Sequence, residues 1–264
     1  MFDTVLTDDG LCCTFNTVAD KFMYVNAPDI LKPATMEGYY PVDWTPENKY
    51  GNIDLNSNFF PRIAKGIGTR MGLTVLLNTS SKEYFCTSTR SYGFKVLVHN
   101  PVEKPKIDNF GLLVTKGRET RISIKPSIQS ASPSIRSIAR NKRHCLFSDE
   151  GNLTYYRTYS RKNCELECES KFIYDYCKCI LYYLPLIDPN ASICAPSDSK
   201  CTSNVQTKLE SADQNISCQN CVPACYELGY DTTITSTQLV QGNFETKTTP
   251  LTLSLRMMKM RIWL

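Results

Sequence analysis

The sequence predicts an α+β protein, a β-sheet core carrying a disulfide-rich helical insert. Three observations point there. Ten of the 13 cysteines fall between Cys145 and Cys225. One stretch inside that region repeats at helical spacing. Strand-like alternation is found on both sides of it, so the flanking strands can share one sheet from which the insert projects.

The ten cysteines are Cys145, Cys164, Cys168, Cys177, Cys179, Cys194, Cys201, Cys218, Cys221 and Cys225. Such density is ordinary for an extracellular disulfide framework and unusual in a reducing compartment. Zinc is the alternative, since Cys177-Lys-Cys179 and Cys218-Gln-Asn-Cys221 are spaced like ligand pairs. Ten cysteines would then need two full sites with spares, and zinc-ribbon turns are missing; no metal or cofactor is expected. Ser160 can cap a helix in which Cys164, Cys168 and Phe172 share one face at i, i+4 and i+8. Cys218 and Cys221 lie on a segment expected to return alongside it. With two cysteines and one Phe on its core-facing positions, packing alone is expected to hold this helix poorly. Spacing leaves the connectivity open, because ten cysteines allow hundreds of pairings.

From the start of the chain, Asp8–Asn16 reads as a turn into a short strand that carries Cys12, Cys13 and Phe15. Its adjacent Cys12 and Cys13 point to opposite faces and so need different partners. Residues 26–70, rich in Pro, Tyr, Asn and Gly, read as a long surface excursion. Leu73–Leu77 is a short strand. Ser91–Pro101 is the clearest one, with Phe94, Val96 and Val98 on one face and Pro101 as its stop. His99 reads as a strand-edge polar residue. Arg118–Lys125 alternates with Thr120, Ile122 and Ile124 inward, and Pro126–Pro133 reads as a Ser-rich linker. After Cys225, Tyr226–Thr237 returns to a strand pattern with Tyr226, Leu228 and Tyr230 on one side. Leu251–Leu264 reads as a terminal strand.

The 30 Lys and Arg against 26 Asp and Glu give a net charge of +4, spread without a stripe, so no nucleic-acid footprint is present. Arg136–Arg143 reads as a solvated approach to Cys145. Asp8/Asp9 and Asp149/Glu150 read as solvated turn residues. No zinc-protease, nucleophile-elbow or phosphate-loop motif occurs, so no enzyme is expected. Sequons at Asn78, Asn152, Asn190 and Asn215 are expected glycosylation sites and favour an extracellular face. No signal peptide and no run of about 18 apolar residues is found. An oxidised-compartment composition without export or anchoring signals predicts a fragment of a longer protein.

Several of these motifs together resemble the extracellular region of degenerin/epithelial sodium channel subunits, the insect pickpocket type above all. Gly10-Leu-Cys-Cys-Thr-Phe-Asn16 resembles a Gly-x-Cys-Tyr-Thr-Phe-Asn segment of that family, with Cys13 in place of the aromatic residue. Tyr92–Pro101 resembles a palm-domain strand, and the run from Cys164 to Cys225 resembles the thumb-domain cysteine framework. The resemblance covers about residues 5–240. It implies palm and β-ball strands with a finger-like excursion over 1–134, a thumb over 135–225, and returning palm strands with a shortened knuckle region over 226–264. It implies the pairs Cys145–Cys225, Cys164–Cys221, Cys168–Cys218, Cys177–Cys201 and Cys179–Cys194. It also implies that Cys12 is unpaired here, its partner lying after a membrane helix this chain lacks, which leaves Cys13 and Cys86 for each other.

The function so implied is that of a plasma-membrane subunit of a trimeric, amiloride-sensitive sodium channel, homomeric or heteromeric, gated by ligand, force or protons. This region would be extracellular. Sodium would pass through pore helices absent from these residues, so the chain alone is expected not to conduct. The alternative is a soluble, pore-less ectodomain that binds ligands or interferes with partner subunits. The thumb is expected to act as a rigid lever: closing about 80 residues with Cys145–Cys225 contributes roughly 4 kcal/mol by chain entropy.

Overall fold

The structure, a computed structural model, describes residues 2–25, 44–47, 61, 64, 66–79, 88–211, 217–240 and 257–263. It is a mixed α+β fold of two compact units. The first comprises residues 1–62, 100–105 and 128–228, the second 63–99, 106–127 and 229–264. The expected surface excursion falls mostly outside the described residues.

The second unit is built on a four-stranded sheet. β3 (Leu73–Asn78), β6 (Arg118–Ser130), β9 (Tyr226–Gln238) and β10 (Met257–Trp263) lie in the order β3-β10-β6-β9. β10 runs antiparallel to β3 and parallel to β6. β6 and β9 run antiparallel: the Ala131 N–H donates to the Cys225 carbonyl (2.7 Å) at one end, and the Leu239 N–H to Gly117 (3.0 Å) at the other. Alternation on β6 follows the expected pattern, with Thr120, Ile122 and Ile124 buried. Val114, Ile122 and Ile124 form the core of this unit, with Val75, Leu77, Phe94, Val96, Val98 and Tyr230 packed on it.

Two strand boundaries differ from the sequence reading. β4 (Gly93–Val96) pairs with β5 (Leu112–Thr115), just after the short helix α2 (Ile107–Phe110), and stops at Val96 rather than at Pro101. Val98 still reaches the core, but its backbone has no partner strand there because β5 ends opposite Val96. Gly93 is required in this hairpin, since a Cβ would come within 2.2 Å of the Val114 carbonyl oxygen. β6, conversely, continues through Pro126 to Ser130 instead of yielding to a linker. Residues in phase with Ala131 turn their N–H groups to β9. Pro126 is out of phase and faces the β10 side, where pairing has already ended at Ser123, so its missing N–H costs no ladder bond.

In the first unit, β1 (Asp3–Thr7) and β2 (Gly10–Thr14) form a hairpin in which Cys13 lies opposite Thr4 and Cys12 opposite Val5. A short helix α1 (Asp20–Met23) follows, and the single turn α3 (Arg140–Arg143) precedes the cysteine region. The main helix α4 (Arg161–Cys177) starts where predicted, the Ser160 side chain accepting the Asn163 N–H. It stops at Cys177 because Lys178 is left-handed (φ 59°). The Cys177–Cys201 and Cys179–Cys194 bridges flank and hold that residue. β7 (Cys179–Ile180) pairs parallel with β8 (Ser192–Ile193), and α5 (Ser199–Glu210) packs against α4.

Candidate functional site

The arrangement with functional potential is α4 and what is fastened to it. Its exposed-side seam carries the bridges Cys164–Cys221 and Cys168–Cys218. Partner numbers fall as helix numbers rise, so the returning segment runs antiparallel beside α4. Cys145–Cys225 closes the base, where the chains also pair through Leu146 and Ala224.

That seam is not what buries the helix. Cys164, Cys168 and Phe172 are only half-buried, whereas Asn163, Leu166, Glu167, Glu169, Ser170 and Ile173 are buried. Leu166 and Ile173 join the core cluster of Tyr24, Val102, Tyr156, Ile180, Tyr183, Leu184 and Val205. The expectation of a helix with little to bury is therefore corrected: packing holds α4 on one side and disulfides on the next.

The buried polar residues tie loops to the helix. The Glu167 carboxylate accepts the backbone N–H groups of Thr154 (3.1 Å), Tyr155 (2.6 Å) and Tyr156 (3.0 Å). The Asn163 amide donates to the Val102 and Thr158 carbonyls and accepts the Lys104 N–H. Ser170 donates to the Pro185 carbonyl (2.8 Å), and Tyr174 to Asp188 (2.7 Å). Glu169 accepts from Gln206 of α5. Positions 163, 167, 170 and 174 have the helical period of the cysteines, displaced by one residue. This signal was present in the sequence, masked by the cysteines themselves.

Residues 100–105 form the second anchor. Asn100 through Lys104 are buried, with the Val18 N–H donating to the Pro101 carbonyl (2.9 Å). The Lys104 ammonium reaches Asp20 at 2.7 Å and lies over the Tyr24 ring. Glu103 pairs with Lys162 of α4 at 3.2 Å, and burial pushes its carboxyl above the ordinary range despite that lysine. The Tyr24 and Tyr156 rings meet at 5.0 Å, tilted by 33°, and burial raises both phenols.

At the base, two stretches read as solvated are in fact joined. The Arg136 guanidinium holds both Asp149 oxygens at 2.9 Å and Glu47 at 3.2 Å, and Arg143 pairs with Glu150. Both guanidiniums lie over the Phe147 ring, Arg136 at 3.9 Å. The Arg143 hydrogen bond holds the Glu150 carboxyl down at about 2.

Five of the expected pairs are therefore bridged in the structure. Of the remaining expected pair, Cys13 is a free, exposed thiol, and Cys86 lies outside the described residues. On an extended strand Cys13 faces away from the fold while Cys12 is half-buried beside the Thr7 hydroxyl (3.2 Å). Asn152 and Asn190 are exposed, Asn78 is half-buried in β3, and Asn215 lies outside the described residues. Among the described residues no cluster of His, Cys, Asp or Glu is placed to hold a metal ion, and no helix is long and apolar enough to cross a membrane.

The first unit's disulfide-braced helix on its buried polar scaffold and, separately, the second unit's four-stranded sheet define a disulfide-stabilised α+β fold. The family described as amiloride-sensitive sodium channel matches residues 1–262. The chain belongs to that family, the degenerin/epithelial sodium channels, and is of the pickpocket type. It is 52% identical over 243 residues to "Pickpocket protein 28" of Drosophila melanogaster, which covers 91% of this chain and 40% of that protein. It is 26% identical over 177 residues to "Sodium channel protein Nach" of Drosophila ananassae, 67% of this chain and 34% of that protein. With "Acid-sensing ion channel 4-B" of Danio rerio it shares 28% over 194 residues, 69% of this chain and 33% of that protein. The chain thus spans two-fifths or less of the length of these relatives.

Proposed function

We propose that this chain is the extracellular region of a plasma-membrane sodium-channel subunit that assembles as a homo- or heterotrimer. The family match over residues 1–262 carries this reading. The bridged α4 region acts as a thumb and the four-stranded sheet belongs to a palm. An extracellular cue acting on the thumb moves it as a body, and the palm passes the displacement to pore helices outside these residues. The rigidity this needs is supported by the two independent fastenings of α4, bridges on one face and buried hydrogen bonds on another. Expression of the full-length subunit in oocytes, alone and with related subunits, is expected to give a sodium current blocked by amiloride. Surface-delivered subunit without any such current under osmotic, mechanical, acid or ligand stimulation would refute the channel reading.

A further inference from the structure

We infer that Gly229, with Ser127 opposite it, is the hinge at which the β6–β9 ribbon bends when the channel responds to its stimulus. This inference rests on the reading above and names the residue that takes up the movement it requires.

The ladder bonds at the two ends of the ribbon, Ala131 to Cys225 and Leu239 to Gly117, belong to one unbroken antiparallel register, which sets Ser127 opposite Gly229. Both strands change unit at this rung. Ser127 and Gly229 are the last pair of the second unit, and Ile128 and Leu228 the first pair of the first. The side chains on either side of the glycine are anchored accordingly. Leu228 packs against the core of the first unit, and Tyr230 against that of the second. Two apart on one strand, they leave it by the same face, and only Gly229 lies between these separate anchors.

The ribbon is also narrow here. β10 ends its pairing with β6 at Ser123, so among the described residues the ladder from 124 onward is two-stranded. A two-stranded ribbon twists more freely than a wider sheet. On β6 the neighbouring Ile128 is 55% exposed, so no buried side chain clamps that strand at the rung.

Nothing local demands a glycine at 229. Its backbone is not left-handed, the positive-φ glycines being Gly10, Gly68 and Gly117. A Cβ would meet only the Ser127 carbonyl oxygen, at an ordinary 3.8 Å, in contrast to the 2.2 Å that fixes Gly93. The next residues of β9, Thr232, Thr233, Ile234 and Thr235, are β-branched, the kind that stiffens a strand. What glycine adds at the crossing is torsional freedom, at the cost of a weaker ladder.

The test uses the full-length subunit and two readouts. Hydrogen exchange, read on overlapping peptides, is expected to be faster at Ser127 and Gly229 than at the Lys125–Asp231 and Gln129–Glu227 rungs, and about two- to fivefold slower at the hinge rung in Gly229→Val. In oocytes, the current evoked by one fixed stimulus, an acid step or lowered osmolarity, is measured per surface-biotinylated subunit. It is expected to fall in Gly229→Ala and further in Gly229→Val, and to recover when Ser127→Gly is added to Gly229→Val, since freedom returns on the opposite strand. Exchange no faster at this rung than beside it, unchanged current in Gly229→Val, no recovery with Ser127→Gly, or loss of surface delivery in Gly229→Ala would each overturn the hinge. If the unaltered subunit passes no current while the rung exchanges fast, the channel reading fails and the hinge stands.

Discussion

Replacing Glu167 is expected to loosen the helical unit more than removing any exposed charge on the same helix. Its carboxylate is 4% exposed and accepts three backbone N–H groups, those of Thr154, Tyr155 and Tyr156. An unsatisfied buried donor costs about 1–3 kcal/mol. Thr154 is exposed and its N–H can return to water, but Tyr155 is half-buried and Tyr156 buried. Two stranded donors plus the lost side-chain volume make Glu167→Ala cost about 4 kcal/mol. Glu167→Gln keeps the volume but turns an N–H₂ toward N–H donors, for a cost of about 2 kcal/mol. With a urea slope of about 2 kcal/mol/M, these shifts lower the unfolding midpoint by about 2 M and about 1 M. The measurement is equilibrium urea unfolding with disulfides intact, using Glu165→Ala as the control. Glu165 is in an exposed i,i+4 pair with Arg161, so its loss is expected to cost under about 0.5 kcal/mol. If both Glu167 variants also stay within about 0.5 kcal/mol, the carboxylate does not fasten the 154–156 loop and the reasoning is wrong.

Glu150 is held down at about 2 by Arg143. Its contribution is therefore present above the ordinary carboxylate range of about 4.3 and is lost as pH falls toward 2. Glu150→Gln should flatten that part of the acid-unfolding curve and leave the neutral range unaltered in slope. Glu103 has the opposite sign: its raised carboxyl makes stability increase as pH falls through its folded value, down to the ordinary range. Urea midpoints measured against pH should lose that upward slope in Glu103→Gln. In the full-length channel, replacing Cys168 and Cys218 together by Ser opens a loop of 50 residues worth about 4 kcal/mol by chain entropy. Surface biotinylation should still find some folded subunit, because α4 remains packed through Leu166, Ile173 and its polar anchors, but the stimulus-evoked current should be blunted. Replacing Cys145 and Cys225 should mostly abolish surface delivery, since that pair closes the base. Normal delivery without it would contradict the role assigned to the base.

Much of the fold was legible because it depends on short-range periodicity. The alternation of Thr120, Ile122 and Ile124 is a property of one strand, and Ser160 capping α4 is a property of four consecutive residues. The density of cysteines was likewise enough to place a disulfide-built region, though not its pairing, which came from resemblance. Other features follow from distant chain segments meeting, which local patterns do not encode. Arg136 and Asp149 look like two solvated charges until a turn sets them face to face over Phe147. Asn163 and Glu167 look like ordinary exposed helix polar residues until residues 102–104 and 154–156 bring unpaired backbone groups to them. Pro126 looks like a strand breaker until the phase of β6 turns its missing N–H away from β9. Cys13 shows the limit in the other direction: the chain itself determined that it points away from Cys12, but only the tertiary structure shows it as an exposed free thiol. Local geometry sets direction within a few residues, whereas pairing needs the position of another segment, and that is settled by the packing of the whole fold.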